Sequence, residues 1–135
     1  MNTPPIAKDL LVSRAIQARE RAYTPYSHYQ VGAAVLTTAG EIVTGCNVEN
    51  AVYPLGICAE RVAIAKAVSE GAEGIVAVAV ATENGGTPCG ACRQTMREFA
   101  DPALPVLIAR LDGSYRETTL AELLPQSFSV EDLAR

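Results

Sequence analysis

The stretch GIVAVAVAT, residues 74–82, is apolar without a break from Ile75 to Ala81. A half-buried strand would alternate apolar and polar residues. A continuous apolar run reads instead as a strand covered on both faces. Such a strand needs a layer of structure above it and another below, so the rest of the chain is read for what supplies them. Upstream, the residues from Cys58 to Glu70 are rich in alanine and read as a helix, with Gly71 where a C-terminal cap belongs. Downstream, ENGGTP (83–88) is a turn, and a short helix is expected from Ala91 to Phe99, stopped by DPALP (101–105).

Further out, VGAAVLT (31–37) and EIVTGCNV (41–48) read as two strands. They flank a hairpin turn in which Gly40 supplies the unusual backbone angle. VLIAR (106–110) and YRETT (115–119) form a second such pair around LDGS (111–114), and LAELLP (120–125) is a short helix. The tail QSFSVEDLAR (126–135) carries one further turn. At the other end, residues 5–22 read as an amphipathic helix, with Pro5 in its first turn and Leu11, Ala15, Ala18 and Ala22 on one face. ENAVYPLGI (49–57) is a long loop. The order of elements describes an α/β fold with a five-stranded mixed sheet and helices on its faces.

At 135 residues the chain suits one domain spanning 1–135. Its apolar fraction of 49% allows a core, and the absence of tryptophan requires building it from Ala, Val, Ile and Leu. A formal charge of -4 argues against a nucleic-acid binder, which carries a basic stripe. MNTPPIAKDLLVSRAI has neither the basic segment nor the apolar run of a signal peptide, and no run is long enough to span a bilayer. A cytoplasmic protein is expected, without a membrane or nucleic-acid partner. Its four cysteines are then metal ligands or catalytic thiols rather than disulfides.

Three of those cysteines have a pattern. Cys58 opens one helix, and Cys89 and Cys92 open another directly after Pro88. Unpaired N–H groups and the positive end of the helix dipole favour thiolate over thiol there. Three thiolates suit one Zn²⁺ and leave a fourth position for water, whose pKa the ion lowers. Glu60, two residues beyond Cys58, is placed to move protons beside it. The arrangement C-A-E followed by P-C-G-A-C matches the known zinc-deaminase signature in its three-cysteine form. Taken alone, C-x-x-C is as compatible with a redox pair or half of a structural zinc site. A structural site would need Cys46 or His28 as fourth ligand, and neither has ligand spacing. Cys46 reads as a small apolar residue and His28 as a hydrogen-bonded loop residue.

YTPYSHYQVGAAV (23–35), GCNVENAVYPLGICAERVAIAKAVSEG (45–71), PCGACRQTMREF (88–99) and LAELLPQSF (120–128) together resemble the small homotetrameric cytidine deaminases, from about Tyr23 to Leu133. The resemblance implies a three-layer α/β/α sandwich. It implies hydrolytic deamination of cytidine and deoxycytidine in pyrimidine salvage, by attack of zinc hydroxide on C4. Cys58, Cys89 and Cys92 would hold one zinc per chain, and Glu60 would shuttle protons.

By the same resemblance, Asn47 and Glu49 would meet the ribose, the Ala59 N–H the base carbonyl and the Thr87 carbonyl the leaving amine. Asn47 and Glu49 alternate on an extended segment, which points both side chains the same way. Tyr29 stands where phenylalanine is usual, stacking on the pyrimidine, and its hydroxyl needs a partner. Arg61 would offset the charge of the three thiolates. Phe128 would close a neighbouring subunit's pocket, so that active sites are shared within the tetramer.

Two other readings remain. One is a zinc deaminase acting on another nucleoside or on nucleic acid. The other is a zinc-stabilised binding or redox module, in which Glu60 would be dispensable.

Overall fold

The computed structural model describes residues 3–133. Helix α1 (Lys8–Arg19) leads into the hairpin β1 (Gly32–Thr37) and β2 (Ile42–Cys46). Then follow a 3-10 turn at Tyr53–Leu55, α2 (Ala59–Ser69), β3 (Ile75–Ala81) and α3 (Gly90–Phe99). The hairpin β4 (Pro105–Ala109) and β5 (Tyr115–Thr119) precedes α4 (Leu120–Leu123), and a last 3-10 turn covers Val130–Leu133. The strands form one sheet in the order β2-β1-β3-β4-β5. Only β3 and β4 are parallel, joined through α3; the other neighbours are antiparallel. The sheet is mixed and five-stranded, as the pattern of elements predicts.

Strand β3 shows why two layers form. Val78 and Val80 point to one face, into a core with Ala63, Ile64 and Ala67 of α2, Cys92 and Met96 of α3, and Leu120 of α4. Ala77, Ala79 and Ala81 point to the other face, under Leu11, Val12 and Ala15 of α1. Small residues on that face let a single helix lie close to the sheet. At Leu36/Thr37 the β1–β3 register slips by one residue, which turns Ile75 to the valine face. Two glycines set the helix–sheet distance. A Cβ on Gly32 would meet the Ala15 carbonyl oxygen of α1 at 1.9 Å, and one on Gly45 would meet the Ala63 nitrogen of α2 at 2.5 Å.

The turn chemistry follows expectation. Gly40 and Gly113 take φ of 88° and 91° in the two hairpins. Gly71, at φ 105°, ends α2 in a Schellman arrangement, in which its N–H bonds the Val68 carbonyl and that of Ala72 bonds the Ala67 carbonyl.

The first helix is shorter than the pattern predicts. It starts at Lys8 rather than Pro5: residues before Ala7 stay outside the helix, and Ile6 packs against the α1 core cluster. It ends at Arg19 rather than Ala22. The Tyr23 N–H leaves the helical ladder to bond the Asn47 carbonyl at 3.0 Å, which starts a short bridge between Tyr23 and Val48. Leu11 and Ala15 are buried as expected, together with Val12, while Ala18 and Ala22 are half-buried. Among the described residues, no helix is long and apolar enough to cross a membrane.

Candidate active site

Helices α2 and α3 bring their first turns together on the valine face of the sheet. Cys58 is the N-cap of α2 and Cys89 the N-cap of α3, each with an extended backbone at ψ 152° and 169°. Cys92 follows one turn into α3 and is buried. The Cys58 and Cys89 sulfurs are 3.8 Å apart, and those of Cys89 and Cys92 3.5 Å. All three lie within 4.8 Å of one another. Zinc–sulfur bonds of about 2.3 Å in a tetrahedron place neighbouring sulfurs about 3.8 Å apart.

Two of these thiols shift in opposite directions. Cys58 is pulled down to about 5, chiefly by the neighbouring Cys92 thiol, with Arg61 and Cys89 adding to the effect. Cys92 is pushed up, first by the neighbouring Cys58 and then by burial. The thiols are coupled: one ionises at the expense of another. A divalent cation offsets that repulsion and lets all three ligate as thiolates. The donor set therefore fits Zn²⁺, which prefers sulfur over harder oxygen ligands.

Arg61, one helical turn after Cys58, places Nη2 3.5 Å from the Cys58 sulfur, and its Nε is buried without a partner. Glu60 is 4% exposed, although it is charged and sits in the first turn of a helix. Burial pushes its carboxyl up to about 7, with the nearby Cys58 adding to the rise. A carboxyl group near neutrality can both accept and release a proton.

In front of these groups lies a cavity of about 270 Å³, close to the size range of small-ligand sites. Tyr29, Asn47, Glu49, Cys58, Ala59, Glu60, Thr87 and Cys89 all line it. Asn47 and Glu49 both line it, and both also serve the loop around them. Asn47 Oδ1 accepts the Val31 N–H at 2.9 Å, and its Nδ2 donates to the Tyr29 carbonyl at 2.8 Å. Glu49 accepts the N–H groups of Tyr26 and Ser27 at 3.0 and 3.2 Å and the Ser27 hydroxyl.

Phe128 does not line this cavity and is 55% exposed. Cys46 is half-buried at the end of β2, apart from the three-sulfur cluster. His28 takes a left-handed φ of 60°, and its N–H bonds the Thr24 carbonyl.

Several wall residues carry no signal in the sequence. Ser27, Thr82 and Gly86 line the cavity because loops distant in sequence converge there. Arg93 is another. It donates to the Pro88 carbonyl at 2.7 Å, the Leu123 carbonyl at 2.6 Å and Thr87 Oγ1 at 3.1 Å. The Arg-Gln pair after the second cysteine of C-x-x-C could have marked it, but a helix arginine is ordinarily solvated.

Three convergent thiols at two helix starts, a buried carboxyl group and an adjoining cleft define a zinc-binding α/β/α protein equipped for hydrolytic chemistry. A family profile, the cytidine and deoxycytidylate deaminase zinc-binding region, matches residues 6–108. The cytidine deaminase of Sporosarcina psychrophila is 48% identical over 126 residues, covering 92% of this chain and 93% of that protein. The cytidine deaminase of Halalkalibacterium halodurans is also 48% identical, covering 93% of this chain and 97% of its own. The crystal structure of cytidine deaminase from Burkholderia pseudomallei aligns with a TM-score of 0.86 at 44% identity, over 91% of this chain and 100% of that one. The chain belongs to the cytidine and deoxycytidylate deaminase family.

Proposed function

We propose that this chain hydrolyses the exocyclic C–N bond of cytidine and deoxycytidine, giving uridine or deoxyuridine and ammonia. The observation that carries the reading is the buried Glu60 carboxyl beside three sulfurs within 4.8 Å of one another, all opening on one cleft. Cys58, Cys89 and Cys92 would hold one Zn²⁺ per chain. The bound ion supplies Lewis acidity that brings a water's pKa towards neutrality.

The chain's own residues would do the rest. Glu60 takes a proton from the attacking water and delivers it to N3 of the ring, which makes C4 more electrophilic. It then takes the remaining proton of the same water, now the hydroxyl on C4, and passes it to the 4-amino nitrogen, which leaves as ammonia while the C4 oxygen becomes the carbonyl. The Ala59 N–H, an unpaired donor in the first turn of α2, holds the base carbonyl. The Thr87 carbonyl accepts from the leaving amine. Tyr29 offers its ring face to the pyrimidine, and Asn47 with Glu49 meets the ribose hydroxyls. Arg61 spreads the negative charge of the sulfurs.

The chain acts as a single domain in a cytoplasmic homotetramer serving pyrimidine salvage, with Phe128 completing a neighbour's cleft. The mildly acidic balance, -4, supports a nucleoside rather than a polynucleotide substrate.

Glu60→Gln tests this reading. The variant should fold and retain zinc, while conversion of cytidine, followed by ultraviolet absorbance, falls by about 10²–10⁴-fold, the range of acid–base catalysis. Chelation should abolish turnover, and added zinc should restore it. A fully active Glu60→Gln protein would point instead to a zinc-stabilised module.

A further inference from the structure

The hydroxyl of Tyr29, which a phenylalanine would lack, has a partner across the cleft. It donates to Asn84 Oδ1 at 2.7 Å, a contact between residues 55 apart in the chain. The same oxygen accepts the Thr82 hydroxyl at 3.3 Å, and Thr82 Oγ1 accepts the Gly86 N–H at 2.8 Å. The phenol end also rests on Gly86, where an added Cβ would meet the Tyr29 hydroxyl oxygen at 2.7 Å. The other end of Tyr29 is held by its backbone. Its N–H donates to Ser27 Oγ at 3.0 Å, and its carbonyl accepts from Asn47 Nδ2 at 2.8 Å. Tyr29, Thr82, Gly86 and Thr87 are all walls of the cavity. Asn84 is exposed and does not itself line the cavity.

We infer that Asn84 is a positioning residue for the nucleoside site: through the Tyr29 hydroxyl it latches the aromatic wall of the cleft to the 82–87 wall. The inference rests on the deaminase reading of the same cleft. A tyrosine 37% exposed at a cavity mouth would otherwise be free to swing. Tied at both ends, its ring is held at one distance from Thr87 before a ligand enters. Binding then orders fewer groups, and the gain appears in affinity rather than in the chemical step. Thr82 and Gly86 extend the tie to the backbone just before Thr87, whose carbonyl faces the leaving amine in the proposed reaction.

The test uses zinc-loaded protein and four variants: Asn84→Ala, Asn84→Asp, Tyr29→Phe, and the double variant Tyr29→Phe/Asn84→Ala. Asn84→Ala and Tyr29→Phe should each raise KM for cytidine about two- to tenfold, the net worth of one hydrogen bond, with kcat changing by less than about twofold. The double variant should match the single ones, because both remove the same contact. Asn84→Asp keeps an acceptor for the phenol and should restore KM.

Amide hydrogen exchange over residues 82–87 should quicken in Asn84→Ala and Tyr29→Phe and stay slow in Asn84→Asp. Additive KM effects, or exchange that ignores all the substitutions, would overturn the latch. Exchange is read without turnover. Protein that exchanges as expected but leaves cytidine intact would refute the deaminase reading and keep the latch.

Discussion

The Arg61 guanidinium places Nη2 3.5 Å from the sulfur of Cys58, three residues before it on the same helix. In the proposed site it faces a metal centre whose three thiolates outweigh the charge of the ion by one. A cation at that distance returns some of the ion's pull on water. Groups contacting a ligand rather than the metal typically change activity or metal affinity about 10–100-fold when removed. Arg61→Ala should therefore lower kcat within that range and alter the pH–rate profile while zinc stays bound. Metal analysis and kinetics on one sample check this; an unchanged profile would remove Arg61 from the mechanism.

Glu49 predicts a pH independence. Its carboxyl lies below the usual carboxylate range, chiefly because the Ser27 hydroxyl donates to it, with the N–H groups of Ser27 and Tyr26 adding to the effect. For an acid whose folded value is lowered, the contribution is complete above the ordinary value of 4.5 and is lost only as pH falls through the lowered one. Between pH values of about 6 and 9 the carboxylate is thus always ionised. Glu49→Gln should raise KM for cytidine by the same factor throughout that range. A factor that shrinks towards pH 6 would show that a titrating neighbour, not the Glu49 charge, sets the effect.

Arg93 joins the loop before Cys89 to the end of α4. Its three donors reach the Pro88 carbonyl, the Leu123 carbonyl and Thr87 Oγ1. Arg93→Ala leaves two carbonyls without a charged donor, so a loss of about 2–3 kcal/mol is expected. For a chain of this size that lowers the thermal midpoint by on the order of 10 °C. Scanning calorimetry of zinc-loaded protein measures it; an unmoved midpoint would mean the clamp is idle.

Much of the fold can be read in the residues because its signals are local. The unbroken Ile75–Ala81 run implies two covering layers, and Gly40, Gly71 and Gly113 mark turns that need positive φ. The metal cluster is also legible, since Cys58, Glu60, Cys89 and Cys92 each lie at a helix start with fixed local spacing. What stays hidden depends on contacts across the chain. Nothing near Asn84 announces that Tyr29 lies beside it, and Ser27 enters the cleft only because Glu49 folds back onto it. The first helix is misread at both ends for the same reason. Its limits are set by Ile6 docking and by the Tyr23–Asn47 hydrogen bond, not by helix signals.

Gly45 is a second hidden constraint. Inside a strand it reads as a weak position, yet a Cβ there would meet the Ala63 nitrogen at 2.5 Å and the Ala59 carbonyl oxygen at 2.7 Å. Both are backbone atoms, so α2 itself would have to move, and Ala59 begins the helix that carries Glu60. Gly45→Ala should destabilise the protein by about 3 kcal/mol, the upper part of the usual overpacking range. Gly90→Ala is the control: its Cβ has nothing within 4 Å, and it is the first residue of α3. The denaturant midpoint should fall in Gly45→Ala and stay near the parent's in Gly90→Ala, or Gly45 is not the spacer the geometry makes it.

Phe128 is held in place without its ring. Gln94 Nε2 donates to its carbonyl at 2.8 Å, and Arg97 Nε donates to Ser127 Oγ at 3.2 Å. Arg97 also lies 3.8 Å from Glu131 further along the tail. Side chains of α3 therefore present an exposed phenylalanine from a tethered segment. In the proposed tetramer that ring covers a neighbour's cleft, so Phe128→Ala should leave each chain folded and weaken substrate binding. Burying a phenylalanine contributes about 1.5–3 kcal/mol. Its loss should raise KM roughly ten- to hundredfold if the whole contact serves the substrate. Sedimentation and assay on the same dilution series separate the possibilities. The parent protein should lose specific activity as it dissociates, and the variant should dissociate at higher concentration. A monomer with full activity would show that each chain closes its own cleft.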